Sequence, residues 1–125
     1  MRLLIVDDDA DVCQFAKSFF ERKGFSVSIA AGGTEALAVF NDQKPRMVLL
    51  DVKMPSMDGI ALLRELKKRD PDVDVIMISG VADTDVIEDA KRFGAYHYVT
   101  KPLVLEELES IVVERAEWLK AREKP

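Results

Sequence analysis

The chain is poor in the residues that most often carry or staple function by themselves. It holds one cysteine, one histidine and one tryptophan, and aromatic residues make up only 7% of its 125 residues. A lone Cys13 cannot close an internal disulfide, which suits a reducing cytoplasm. A lone His97 excludes multi-histidine metal sites and leaves little material for histidine-based catalysis. Long apolar runs are also missing. Leu3 to Val6 stop at three aspartates, far short of a signal peptide's apolar stretch. Nothing approaches the roughly 18 consecutive apolar residues of a membrane span, so a cytoplasmic chain without membrane contact is expected. Excess positive charge is absent as well: 18 basic against 23 acidic residues leave a net charge of −5. That balance argues against nucleic acid as the chain's own ligand, because phosphate binding needs a basic face.

What remains is a globular composition, with 48% apolar and 33% charged residues. The length suits one domain, in which about two-thirds of the unfolded surface can be buried without a staple. Five short apolar runs alternate with amphipathic stretches: Leu3 to Val6, Phe25 to Ile29, Met47 to Leu50, Val73 to Ile78 and Ala95 to Val99. The first, third and fourth are almost continuously apolar, as strands buried on both faces of a parallel sheet should be. The second alternates, which suggests a position near the sheet edge.

Helix patterns fill the gaps. Val12, Phe15, Ala16 and Phe19 follow helical spacing ahead of Gly24, and Ala36, Leu37 and Phe40 follow Gly33. A third pattern spans about Asp58 to Arg69, a fourth carries Val86, Ala90 and Phe93, and a fifth runs unbroken from Pro102 to Lys124. Strand and helix alternating five times predicts an α/β, flavodoxin-like, doubly wound five-stranded parallel sheet of order 2-1-3-4-5. The division expected is a domain over 1–115, with 116–125 extending the last helix.

The polar residues that end these runs are the informative ones. In an open parallel sheet, ligands sit beyond the carboxyl ends of the strands. Asp7, Asp8, Asp51, Ser79 and Lys101 all follow an apolar run, so this topology directs them to one region. Crowded carboxylates repel one another, and a hard divalent cation removes the conflict. Mg²⁺ is the better match, since it takes one or two carboxylates and keeps waters that a phosphate can replace. With Lys101 supplying a compact positive charge and Ser79 a hydroxyl, Asp51 is placed as a carboxylate nucleophile for phosphorus.

The motifs LLIVDDD at 3–9, VLLDVKMPSMDG at 48–59, MISG at 77–80 and GAYHYVTKP at 94–102 resemble the receiver domain of bacterial two-component response regulators. The likeness covers residues 1 to about 115. It implies that Asp51 is phosphorylated and that Asp7, Asp8 and the Lys53 backbone carbonyl join it around Mg²⁺. It further implies that Ser79 and Lys101 bind the phosphoryl group, that the Lys101–Pro102 bond is cis, and that Tyr98 turns inward when Ser79 moves. Ser79 stands for the commoner threonine and Gly80 for alanine, while Lys53 and Val81 occupy positions that tune acyl-phosphate lifetime. The implied partner is a sensor histidine kinase or phosphotransfer protein, with a homodimer on phosphorylation as a further expectation. Transfer is then self-catalysed, and the chain is a signalling module rather than a metabolic enzyme.

Two other functions share parts of this pattern. A Mg²⁺-dependent aspartyl-phosphate phosphohydrolase typically needs a second carboxylate two residues beyond the nucleophile, where this chain has Lys53. A phosphate-independent adaptor of the same fold is disfavoured because all five site residues are present. Among the remaining residues, Asp9 reads as a helix N-cap, and Cys13 as inert and set between the apolar helix positions. His97 reads as a surface or dimer-face residue. The basic cluster Arg64, Lys67, Lys68 and Arg69 reads as a solvated helix end. The last helix, about 33 Å over 22 residues, shows a seam of Leu105, Leu108, Val112 and Leu119 interrupted by Arg115, with Trp118 beyond the domain's easy cover. It reads as a linker toward an output domain or a dimer partner, similar to activators that carry a central ATPase.

Overall fold

Continuous apolar strands need cover on both faces, and the chain supplies it by alternating strand and helix from end to end. The computed structural model describes residues 1–54, 57–80, 84–102 and 104–123. The strands are β1 (Arg2–Val6), β2 (Ser26–Ala30), β3 (Met47–Asp51), β4 (Asp74–Ser79) and β5 (His97–Thr100). The helices are α1 (Ala10–Glu21), α2 (Gly33–Gln43), α3 (Gly59–Arg69), α4 (Thr84–Arg92) and α5 (Leu105–Glu123). All pairings in the five-stranded sheet are parallel, in the order β2-β1-β3-β4-β5, as the alternation predicts. A two-residue antiparallel ladder, Lys53–Met54 with Met57–Asp58, follows β3. Pro55, Val81, Leu103 and Lys124 lie outside the described residues. Among those described, no helix is long and apolar enough to cross a membrane.

Two cores flank the sheet. Leu3, Ile5, Met47, Leu49 and Ile76 face α1 and α5, whereas Leu4, Val6, Val48, Leu50, Val75 and Met77 face α2, α3 and α4. The period of two in β1 and β3 thus feeds both faces with apolar side chains, which is why these runs are uninterrupted. β2 lies at one edge, in keeping with its alternating sequence.

Helix α1 corrects the sequence reading. Its buried residues are Cys13, Ala16 and Phe20, while Val12 and Phe15 are 40% and 57% exposed. Both stripes have helical spacing, and the core selects the one that carries Phe20, whose ring packs edge-on against Phe25 at 5.8 Å. Asp9 caps the helix as expected, accepting from the backbone N–H groups of Asp11 at 3.0 Å and Val12 at 3.2 Å. Gly24 follows the helix with φ of +94°, a conformation that glycine adopts without strain.

Cys13 therefore sits in the core, with its thiol donating to the Asp7 carbonyl at 3.2 Å. Burial, reinforced by the charges of Asp7 and Asp9, pushes the thiol up to about 11. Its raised value favours the folded state below the ordinary thiol range, and this contribution is lost as pH climbs toward 11. Folded protein at pH 8 is expected to resist a thiol-specific alkylating reagent that modifies the unfolded chain within minutes. Rapid modification of folded protein at that pH would contradict this burial.

Helix α5 buries Leu108, Val112, Ala116 and Leu119. Ala116 and Leu119 belong to the same core as α1, so the sheet's cover continues past residue 115. Arg115 is not a break in the seam, because it reaches buried Asp74 at the start of β4. The basic end of α3 is partly spent as well: Lys67 Nζ donates to the carbonyls of Pro71 at 2.7 Å and Val73 at 2.9 Å.

Candidate functional site

Strand register decides how closely the polar ends meet. Val6 is level with Leu50, and Asp51 with Ile78, so Asp7 and Asp51 leave adjacent strands at the same height. Ser79 pairs with Thr100, which puts Lys101 one step beyond it. The outcome is one acidic pocket: a carboxylate oxygen from each of Asp7, Asp8 and Asp51 lies within 4.8 Å of the others. Lys101 reaches over from β5, with Nζ 3.5 Å from Asp51 Oδ2.

Burial differs across this group. Asp7 and Asp51 are 8% and 7% exposed and Ser79 is 1% exposed, whereas Asp8 is open to solvent. Asp7 is pushed above the ordinary carboxylate range, chiefly by burial, with the charges of Asp51 and Asp8 adding to the effect. The Asp9 N–H, which donates to Asp7 Oδ1 at 3.0 Å, and the Lys101 charge oppose that rise. An acid whose folded value is raised favours folding only while it can hold its proton. Asp7 therefore makes the metal-free fold less stable as pH rises through its titration. Three clustered oxygen donors with one open side have the chemistry of a hard-cation site, and they fit Mg²⁺.

The segment after Asp51 is held by close backbone packing. Val52 N–H donates to the Ile78 carbonyl at 2.9 Å, and Gly59 N–H donates to the Val52 carbonyl at 3.2 Å. A Cβ at Gly59 would lie 2.7 Å from Val52 Cα, so only glycine allows this approach. Asp58 caps α3 by accepting from Ile60 N–H at 3.0 Å. Lys53 thereby enters its short ladder opposite Asp58. In sequence, Asp58-Gly59 reads as turn chemistry alone; the contact with Val52 arises from the tertiary path.

Lys101 N–H donates to the Ser79 carbonyl at 2.7 Å, joining the two phosphate-facing candidates through the backbone. The Lys101–Pro102 peptide is cis. Tyr98 is half-buried against the core that contains Ala90, on the α4 side. Tyr96 borders the same cavity beside α4 as Tyr98, and its ring lies 4.5 Å from the Arg115 guanidinium of α5. His97 is exposed, and its Nδ1 accepts from the Tyr98 N–H.

One feature beside the pocket is missing from the sequence reading. Val12, Phe15 and Ala16 on α1 face Pro102 and Leu105 across an open groove of about 520 Å³ that also includes Lys101. The exposure of Val12 and Phe15 became visible only once Phe20 claimed the core.

Comparison with known proteins identifies the family and the fold. The family model described as response regulator receiver domain matches residues 3–113. Regulatory protein AtoC of Escherichia coli is 38% identical over 98% of this chain, which spans 26% of AtoC. Sporulation initiation phosphotransferase F of Bacillus subtilis is 33% identical over 89% of this chain and 90% of its own length. Among solved structures, a CheY-like receiver domain protein from Methanospirillum hungatei superposes with a TM-score of 0.91 at 31% identity, covering 97% of both chains. NtrX from Brucella abortus gives 0.85 at 36% identity, with 97% of this chain covering 28% of that one. With the matched segment extending from β1 into α5, this chain belongs to the response regulator receiver domain family.

Proposed function

We propose that the chain is a phosphoacceptor switch in which Asp51 takes a phosphoryl group from a histidine kinase or a phosphotransfer protein. The observation that carries this reading is the meeting of Asp7, Asp8 and Asp51 within 4.8 Å, with Lys101 3.5 Å from Asp51. Asp51 forms an oxygen–phosphorus bond as the phosphorus–nitrogen bond of the donor breaks, and the imidazole leaves with a proton. Asp7, Asp8, Asp51 and the Lys53 carbonyl would hold Mg²⁺, which when bound offsets carboxylate repulsion and spreads phosphoryl charge. Lys101 and Ser79 bind the outer oxygens, and Tyr98 follows Ser79 inward. The altered α4–β5–α5 face then controls an output domain or a partner.

A donor must bring its phosphorus to the mouth of this pocket, and the α1 groove is the adjoining apolar surface. Phe15→Ala is expected to slow transfer from the phosphorylated kinase roughly five- to thirtyfold, as for loss of an interface anchor. Acetyl phosphate, which needs no docking surface, should react at the unchanged rate. Equal slowing of both donors would assign Phe15 to the pocket itself.

The test of the overall reading is intact mass after incubation of the whole chain with Mg²⁺ and acetyl phosphate. A phosphate-sized gain that requires Mg²⁺ is expected. A Mg²⁺-dependent rise in melting temperature without any gain in mass would instead favour a phosphate-independent adaptor.

A further inference from the structure

The cations of α3 read in sequence as one solvated helix end, and the structure divides them. Arg69 Nε donates to Glu65 at 3.3 Å, and Lys67 Nζ is held by the carbonyls of Pro71 and Val73. Lys67 also abuts the turn after α4, where a Cβ at Gly94 would lie 3.1 Å from its Cε. Arg64 instead meets the end of α4, its guanidinium 4.4 Å from the centroid of the Phe93 ring. Arg92 approaches the same ring at 5.7 Å. Between α3 and the end of α4 lies a groove of about 580 Å³, lined by Ala61, Arg64, Glu65, Lys67, Lys68 and Phe93.

Two properties separate this groove from an ordinary charged surface. Its guanidiniums lack acceptors: Arg46, Arg69 and Arg115 each reach a carboxylate, but among the described residues Arg64 and Arg92 have only the ring between them. A guanidinium stacked on a ring keeps the N–H donors at its edge available, and the two oxygens of a carboxylate fit that fork. The charge is also one-sided. Glu65 is the one carboxylate among the described lining residues, and Arg69 and Lys68 already engage it. In a chain of net charge −5, this is a local reversal of sign.

The geometry points to the α3–α4 groove as a docking site for an acidic helix of a partner protein. Ala61, Arg64 and Lys68 are exposed at i, i+3 and i+7, so they form one stripe along α3. Carboxylates three and four residues apart on a facing helix match that stripe, and an apolar side chain between them covers Ala61 and half-buried Phe93. Nucleic acid supplies the negative charge without the apolar contact, and the chain's net charge opposes a long polyanion. The occupant is separate from the phosphodonor. Helices α3 and α4 cover one face of the sheet and α1 and α5 the other, so this groove and the apolar surface of α1 can be filled together.

The probe is an alanine-rich helical peptide of roughly 20 residues, with glutamates three and four apart and one leucine between them. It is titrated with the full chain while anisotropy and backbone amide shifts are followed. Saturable binding that moves the amides of residues 61–68 and 92–94 is expected. Arg64→Glu should weaken it about tenfold, as for loss of one charge-assisted pair. Phe93→Leu keeps an apolar side chain but removes the ring between the guanidiniums, and should weaken it several-fold. Lys120→Glu makes the same charge change as Arg64→Glu on the exposed side of α5, and should bind as the parent does. Amide shifts away from the groove should match the parent's in each variant, so that a lower affinity reports the groove and not the fold. Equal weakening by Arg64→Glu and Lys120→Glu would reduce the effect to net charge and overturn the site. Unmoved amides over 61–68 in the parent would overturn it too. Tighter binding of a DNA duplex than of the peptide through these same residues would overturn the protein partner.

Discussion

Asp51→Asn is expected to abolish the phosphate-sized mass gain completely, with the fold retained. Asparagine matches the shape of aspartate but lacks the anionic oxygen that attacks phosphorus. Lys101 loses its carboxylate partner at 3.5 Å, and Asp7 loses a neighbouring like charge. The pocket then offers two carboxylates instead of three, so cation binding weakens. Stabilisation by a bound ion grows with the logarithm of its excess over Kd, reaching about 2.7 kcal/mol at a hundredfold excess. The melting-temperature rise at a fixed Mg²⁺ concentration should accordingly shrink in the variant. The pH profile supplies an independent check. In metal-free protein the loss of stability with rising pH, driven by buried Asp7, should be shallower once the Asp51 charge is gone. A mass gain that persists in Asp51→Asn would relocate the acceptor and defeat the proposed chemistry.

Gly59→Ala should be the most damaging single-methyl change near the pocket. Its new Cβ would sit 2.7 Å from Val52 Cα and 2.8 Å from the Val52 carbonyl oxygen, and both are backbone atoms that cannot rotate away. Relieving the clash means moving the chain that leaves Asp51 or the start of α3. Overpacking of this kind costs about 1–3 kcal/mol. At roughly 4 °C per kcal/mol, a fall in melting temperature is easily measured. Because Lys53 follows Val52 directly, Mg²⁺ affinity should fall together with stability. Gly80→Ala is the matched control: among the described residues its Cβ meets only Lys101 Cδ, at 3.9 Å. That substitution should be neutral or stabilising by about 0.4–1 kcal/mol through the unfolded state. Equal behaviour of the two variants in thermal melts would show that the Val52 contact does not constrain the loop.

By itself the sequence determined the alternation, the sheet order and the set of residues at the carboxyl ends of the strands. The reason is physical: a strand covered on both faces must be continuously apolar, so the polar residues that follow it mark where the chain leaves the sheet. Asp7, Asp51, Ser79 and Lys101 are readable for that cause. The edge position of β2 is readable from its alternation. Choices among equivalent patterns were decided by tertiary structure alone. Helix α1 has two apolar stripes of the same period, and only the space beside Phe25 selects Cys13, Ala16 and Phe20 over Val12 and Phe15. Arg115 interrupts an apolar seam until Asp74, 41 residues away, is brought beneath it. Gly59 resembles any turn glycine until Val52 approaches within contact of its missing side chain. Local period and strand ends are written along the chain, whereas pairings between distant residues exist only once the sheet has set its register and the helices have packed against it.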